Sequence, residues 1–308
     1  MDQREELIKN VYDFLKRDEF MVSEPDLYGL VTFDLICKRG NERYIIKILY
    51  NVNTFSKIGV APLMKMSSLT NSKAIIIGEK AGNGKLERGV LYFRHGVPIL
   101  SLESFKDYLK GEPPVIYSAH GGFYVGINGK KMRDLREKNK YSIGDISLKL
   151  GVSRRSVSLY ESGSSATIDI YLKLENILKG DISMDLDMSI SDIVSVPDNI
   201  ASEFINEVFT VMNNIGYVSE YISRNPFDGL SYCSESHLII GAFNDINESN
   251  NRIISIKKIS DVLDDIPVLI SRGTSEKQNI YGCKIISLKN LRKIYDIDSF
   301  NEILEKLK

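Results

Sequence analysis

The stretch from Ser142 to Gly163, SIGDISLKLGVSRRSVSLYESG, constrains the fold more than any other part of the chain. Two short amphipathic runs are separated only by Gly151-Val152-Ser153, which leaves room for a tight bend and nothing longer. Ser142 can cap the first run, whose Ile146 and Leu150 fall one turn apart on a common face. Gly151 tolerates positive φ at the bend, Val152 can plug it from inside, and Ser153 is placed to cap the second run. Val157 and Tyr160 then face inward, which leaves Arg154, Arg155, Ser156, Ser158 and Leu159 on the open side. Ahead of this pair, Lys130 to Lys138 reads as a helix with Met132 and Leu135 inward, followed by the turn Asn139-Lys140-Tyr141. Behind it, Ile168, Tyr171, Leu172, Leu174 and Leu178 mark a further amphipathic stretch, so a small all-helical domain is expected.

Two short helices joined by a glycine-containing turn are the geometry that presents the second helix to the major groove of double-stranded DNA. Ser153, Arg154, Arg155, Ser156, Ser158 and Leu159 are the candidate DNA-contacting residues of that helix, 153–161. Arginine can bind guanine O6 and N7 bidentately, and serine can bond bases or phosphates. Lys130, Lys131, Lys140 and Lys149 are candidate phosphate contacts, which hold register without reading sequence. Local charge agrees: residues 129–180 hold 11 Lys/Arg against 6 Asp/Glu, although the 308-residue chain as a whole holds 40 against 41. Between Asp181 and Ile200 there are five aspartates and no Lys or Arg, which reads as an acidic linker able to lie across a basic neighbour.

Several other function classes are excluded. A hydrophobic share of 43% with 26% charged residues suits a soluble globular chain, neither disordered nor a membrane bundle. The opening MDQREELIKN carries acids and no signal-peptide core, and the longest apolar runs are strand-sized, so a cytoplasmic location is expected. Cys37, Cys233 and Cys283 stand far apart without CxxC spacing and read as buried free thiols. His95, His120 and His237 are scattered, and neither a Gly-x-Ser-x-Gly elbow nor a Cys-His pairing is present. The run Gly78 to Lys85 has Glu79 and Leu86 where a Walker A loop needs Gly and Ser or Thr. No catalytic residue, cofactor or metal is therefore expected, and the chain reads as a non-enzyme.

The flanks read as α/β. The first opens with a helical face of Leu7, Val11, Phe14 and Leu15, continues with two β-rich runs, Leu30 to Lys38 and Tyr44 to Tyr50, and then carries the buried-strand run Ala74 to Gly78. The second repeats this order: Phe204, Val208, Val211 and Met212 open it, Phe227-Asp228 matches Phe33-Asp34, and Leu238 to Gly241 matches Tyr44 to Lys47. The expected layout is an α/β domain over 1–112, a connector over 113–128, the helical domain over 129–180, the acidic linker over 181–200, and a second, degenerate α/β copy over 201–308.

Asp34 on one strand with Ile45-Ile46-Lys47 on the next resembles the PD-(D/E)XK nuclease pattern. That pattern uses two acids to hold Mg²⁺, and the second acid is replaced here by Ile45, so Asp34 and Lys47 are read as vestigial. The second copy has Gly241 at the lysine position and lies further from competence. The segment from Met132 to Gly163 is similar to the Cro/phage-repressor type of helix-turn-helix domain, here expected with five helices. That resemblance implies that Arg136 and Glu161 form a structural ion pair, and not a base-reading one. Ile143 or Gly144 stands where the type often carries a phosphate-contacting glutamine.

Through Tyr44 to Ser56, Glu112-Pro113-Pro114, Gly121 to Val125 and Gly151 to Arg155, the chain resembles an archaeal family of helix-turn-helix transcriptional regulators with such a domain between two α/β regions. The resemblance implies a sequence-specific regulator, and two-fold reading of half-sites would make it a homodimer. Two alternatives stay open on the residues alone: a metal-dependent nuclease targeted by the helix-turn-helix, and an antitoxin-like protein-interaction scaffold.

Overall fold

The computed structural model describes residues 2–25, 31–188, 201–234, 236–246, 250–273 and 277–307. Its first third contains α1 (Gln3–Arg17), β1 (Met21–Val22), β2 (Leu35–Arg39), β3 (Glu42–Asn51), α2 (Val60–Leu69), β4 (Lys73–Ala81), β5 (Gly84–Lys85), β6 (Val90–Arg94), β7 (Val97–Leu100) and α3 (Leu102–Leu109). The middle holds β8 (Ile116–Ala119), β9 (Gly122–Val125), α4 (Gly129–Lys138), α5 (Ile143–Leu150), α6 (Arg154–Glu161), β10 (Ala166–Thr167) and α7 (Ile168–Leu178). The last part holds α8 (Glu203–Ile215), β11 (Val218–Tyr221), β12 (Gly229–Tyr232), β13 (His237–Phe243), α9 (Asn250–Leu263), β14 (Ile266–Ser271), β15 (Asn279–Ile280), β16 (Cys283–Ser287), α10 (Leu288–Leu291) and α11 (Ile297–Lys306).

These elements form two compact units, one of Met1–Ile48, Phe55–Ile75 and Asp192–Lys308, the other of Leu49–Thr54 and Ile76–Ser191. In the first unit α1 buries Leu7, Ile8, Val11 and Leu15, the stripe set by its three-and-four spacing. The hairpin β2–β3 turns at Gly40, where φ is +56°, and pairs Leu35 with Ile46. Further along the same unit, β12 and β13 pair Gly229 with Ile240, and β13, β14 and β16 run parallel. α8 and α11 cover this sheet through Phe204, Val208, Met212, Phe300 and Leu304. The N-terminal and C-terminal α/β parts join inside the unit: Thr32 donates its N–H to the Arg224 carbonyl at 2.9 Å and its hydroxyl to Ser223 O at 3.1 Å, and Lys65 pairs with Glu220 at 2.6 Å.

In the second unit β4 and β7 are parallel and β7 pairs antiparallel with β6. Residues 113–128, read above as a connector, carry the antiparallel pair β8–β9, whose β-rich runs Ile116-Tyr117 and Phe123-Tyr124-Val125 suit a pleated surface. β9 pairs with β10, so the hairpin is continuous with the helical domain, and Val125 and Ile127 lie in its core beside Met132, Ile146, Val157 and Leu174.

The helical domain contains four helices among the described residues, α4 to α7, and not five. After Gly180 the backbone runs extended, because Asn128 N–H donates to Ile182 O at 2.8 Å and Met184 N–H to Gly126 O at 3.0 Å. Ile182 is buried in the domain core. Most of the acidic stretch, 189–200, lies outside the described residues.

Candidate nucleic-acid interface

Local chemistry sets each boundary around α5 and α6. Ser142 and Asp145 form a reciprocal cap: Asp145 N–H donates to Ser142 Oγ at 3.1 Å, and Ser142 N–H donates to Asp145 Oδ2 at 2.8 Å. The Ser142 hydroxyl also donates to Asp145 Oδ2 at 2.7 Å, and this bond, with that from the Ser142 N–H, holds the Asp145 carboxyl below its ordinary range. α5 ends at Gly151 with φ +70° and ψ +31°, a left-handed turn that glycine adopts at little cost. Val152 N–H donates to Ser147 O at 3.2 Å and Ser147 Oγ donates back to Val152 O at 2.6 Å, which fixes the bend. Ser153 caps α6 by accepting from Ser156 N–H at 3.1 Å.

α6 is held from its inner side. Val157 is fully buried, and Glu161 accepts from Arg136 Nε at 2.5 Å and Nη2 at 3.3 Å. Arg133 Nε adds a third contact to Glu161 at 3.4 Å. Arg136 Nη1 also reaches Tyr141 O at 3.0 Å, so one guanidinium ties α4 to both the turn before α5 and the end of α6. Its hydrogen bond to Glu161 raises the Arg136 pKa further. Glu161 is only 4% exposed at its side chain and Arg136 only 11%, so this ion pair lies almost out of solvent.

The outer side is open. Ser153, Arg154, Arg155, Ser158 and Leu159 are exposed and Ser156 is half-buried. The hydroxyls are partly committed: Ser153 Oγ and Ser156 Oγ lie 2.9 Å apart at the cap, and Ser158 Oγ donates to Arg154 O at 3.2 Å. The Arg154 guanidinium lies across Gly144 of α5, where a Cβ would come within 3.2 Å of Nη2. Of the candidate phosphate contacts, Lys130, Lys131, Lys140 and Lys149 are all exposed. Lys131 lies 3.6 Å from Asp181, Lys149 sits 5.3 Å from the Tyr141 ring centroid, and Lys140 occupies the turn with φ +59°. Sequence reasoning did not identify Gly129, the contact of Gly144 with Arg154, or the bond from Tyr171 Oη to Asp181 at 2.8 Å, since each matters only through a contact the fold creates. With Ser183 and Tyr171 donating to it, Asp181 is held down at about 2, while burial and this carboxylate push Tyr171 up to about 12.

The nuclease-like residues meet elsewhere, in the first unit. Asp34, with its side chain 0% exposed, accepts from Arg4 Nη2 at 2.5 Å and from Ile48 N–H at 2.6 Å, and Lys47 Nζ lies 3.4 Å away. Lys47 also donates to Val31 O at 2.8 Å. Ile45, at the position of the second acid, is buried and apolar. This donor set does not fit Mg²⁺: one carboxylate faces two cations and a backbone donor, and no group of three or more Asp, Glu, His or Cys side chains able to hold a metal occurs among the described residues.

No helix among the described residues is long and apolar enough to cross a membrane. Residues 132–183 match the helix-turn-helix family model, and residues 4–114 match that of the PD-(D/E)XK superfamily domain. A Picrophilus torridus protein whose name places it among the HTH-type transcriptional regulatory proteins is 53% identical over 99% of this chain and 98% of its own length. Proteins of the same designation from Thermoplasma volcanium and Methanocaldococcus jannaschii are 42% and 29% identical, each over 98% of its own length and at least 99% of this chain. No solved structure matches the chain. With a capped helix-turn-helix set after a PD-(D/E)XK domain, and relatives aligned from end to end, the chain belongs to the archaeal family of HTH-type transcriptional regulatory proteins.

Proposed function

We propose that this protein is a sequence-specific double-stranded DNA-binding regulator of transcription that acts in the cytoplasm and reads the major groove with the helix 153–161. The observation that carries this reading is the two-sidedness of α6: Val157 and Glu161 anchor it inward while Arg154, Arg155, Ser158 and Leu159 meet solvent. Arg155 has the freer guanidinium for a guanine edge, since Arg154 is laid over Gly144. Lys130, Lys140 and Lys149 supply phosphate attraction, and Lys131 does so once released from Asp181. Two copies of the chain, reading half-sites about 10 base pairs apart, make the binding species a homodimer.

The two α/β parts are a duplication that flanks the helix-turn-helix, and neither is catalytic. The equal register of Leu35 with Ile46 and Gly229 with Ile240, each set from its aspartate by the same interval, supports the duplication. The test is selection of bound fragments from a random DNA pool with the full chain, followed by fluorescence anisotropy on the selected duplex. Arg155→Ala should weaken binding to that duplex by about 5- to 150-fold, the worth of one bidentate guanine contact. A selection without a consensus, or full affinity in the Arg154→Ala/Arg155→Ala variant, overturns the reading.

A further inference from the structure

We infer that in both α/β parts an arginine has taken over the position and the work of the divalent cation that the PD-(D/E)XK scaffold is built to hold. In the N-terminal part, Ile48 donates its N–H to Asp34 Oδ2 at 2.6 Å while Arg4 bonds Asp34 Oδ1 at 2.5 Å through Nη2 and Ile48 O at 3.0 Å through Nε. Arginine, carboxylate and the N–H and C=O of a single residue thus close a ring around the strand. In the C-terminal part, Ala242 donates its N–H to Asp228 Oδ2 at 2.6 Å, and Arg252 bonds Asp228 Oδ2 at 2.6 Å through Nη2 and Ala242 O at 3.2 Å through Nη1. The ring has the same members, although here both donors share Oδ2 and Arg252 Nε also bonds Pro226 O at 2.5 Å, and the clamped residue stands 14 positions after the aspartate in both cases.

The two arginines come from different places. Arg4 belongs to α1, 30 residues before its aspartate, whereas Arg252 belongs to α9, 24 residues after its own. One inherited residue cannot account for both, so the requirement lies in the site: a carboxylate fully or mostly out of water, as Asp34 and Asp228 are, needs a positive partner. In a metal-bound scaffold the cation supplies it. Here the planar guanidinium supplies both the charge and directed hydrogen bonds to a carboxylate and a backbone carbonyl, oxygens of the kinds a divalent cation also takes as ligands.

Neighbouring residues agree with the exchange. In the N-terminal part Arg4 and Lys47 face one carboxylate, so the cluster is net positive before any metal approaches, and Ile45 adds no oxygen ligand. In the C-terminal part the lysine position is Gly241, where a Cβ would lie 2.8 Å from both Ile256 and Phe243, so a side chain there would have to push them aside. Arg252 meanwhile stacks 4.3 Å over the Phe243 ring, which holds its guanidinium plane in place.

The experiment is titration of the full chain with MnCl₂, followed by calorimetry and by thermal melting, alongside variants. Wild-type protein should show no Mn²⁺ uptake that depends on Asp34 and no Mn²⁺-dependent change in Tm. Arg4→Ala and Arg252→Ala should each lower Tm by several degrees in metal-free buffer, with Arg4→Lys intermediate because it keeps the charge and loses the planar fork. Arg4→Ala/Ile45→Glu, which removes the guanidinium and restores the second acid, should gain a Tm that rises with Mn²⁺. Mn²⁺ uptake by the wild type that Asp34→Asn abolishes overturns the inference. So does an unchanged Tm in both arginine variants, and DNA affinity measured in parallel separates either result from a failure of the helix-turn-helix reading.

Discussion

Gly129 lies directly against the backbone of Glu161: a Cβ at Gly129 would stand 2.2 Å from the Glu161 carbonyl oxygen and 2.9 Å from Gly163 N. The first turn of α4 can approach the end of α6 only because no side chain intervenes. Gly129→Ala should therefore destabilise the helical domain by about 1 to 3 kcal/mol, the usual cost of forcing atoms into a filled contact, even though alanine is the better helix former. Circular-dichroism melting checks this, and a Tm equal to or above wild type would refute it.

Arg136 and Glu161 are both nearly out of solvent, at 11% and 4% side-chain exposure. Removing one partner strands the other, so Arg136→Ala should cost about 3 to 5 kcal/mol. Replacing both with leucine should cost much less, because neither charge is then left alone. Denaturant titrations of the single and double variants separate the two cases.

Gly144→Ala separates stability from binding. The new Cβ would crowd the Arg154 guanidinium at 3.2 Å and displace it, while alanine favours the helix by up to about 1 kcal/mol. Tm should stay level or rise while affinity for the selected duplex changes. If both remain at wild-type values, the resting place of Arg154 has no bearing on recognition.

Asp265 gives a pH dependence of defined sign. Burial pushes its carboxyl up to about 6 from 3.8, against the pull of His237 and Arg43 and with the push of Asp264. Between those values the folded chain keeps a proton that the unfolded chain has released, so this group's contribution is greatest at the acid end and falls as pH rises through 6. The span corresponds to at most about 3 kcal/mol. Asp265→Asn should raise Tm relative to wild type at pH 7 and leave it little changed at pH 4, which melting across that range measures.

What could be read from the sequence was whatever depends on neighbours a few residues apart. Ser142, Gly151 and Ser153 mark their boundaries through bonds within five residues, and α5 and α6 begin and end where those residues place them. The inward stripe of α1 follows from spacing in the same way. Arg4 and Arg252 carried no such mark. Each meets its aspartate across 24 residues or more, and an arginine on a helix reads as surface until the strands behind it are in position. Past α7 the backbone forms a strand-like bridge to residues 126–128, a partner more than fifty positions away that no local pattern announces. The hairpin β8–β9 lies inside the segment read as a connector, where Gly121-Gly122 marks a strand entry but the two short runs around it give too little pattern to show the pairing.

The bridge between Ile127 and Ser183 brings the chain's entry into the helical domain next to its exit. A module whose two ends touch can be spliced into a host loop, or cut out of it, without stretching the host. The helix-turn-helix and the helices that support it thus form a cassette closed by that stitch, whereas β8 stays tied to the host sheet through its pairing with β6.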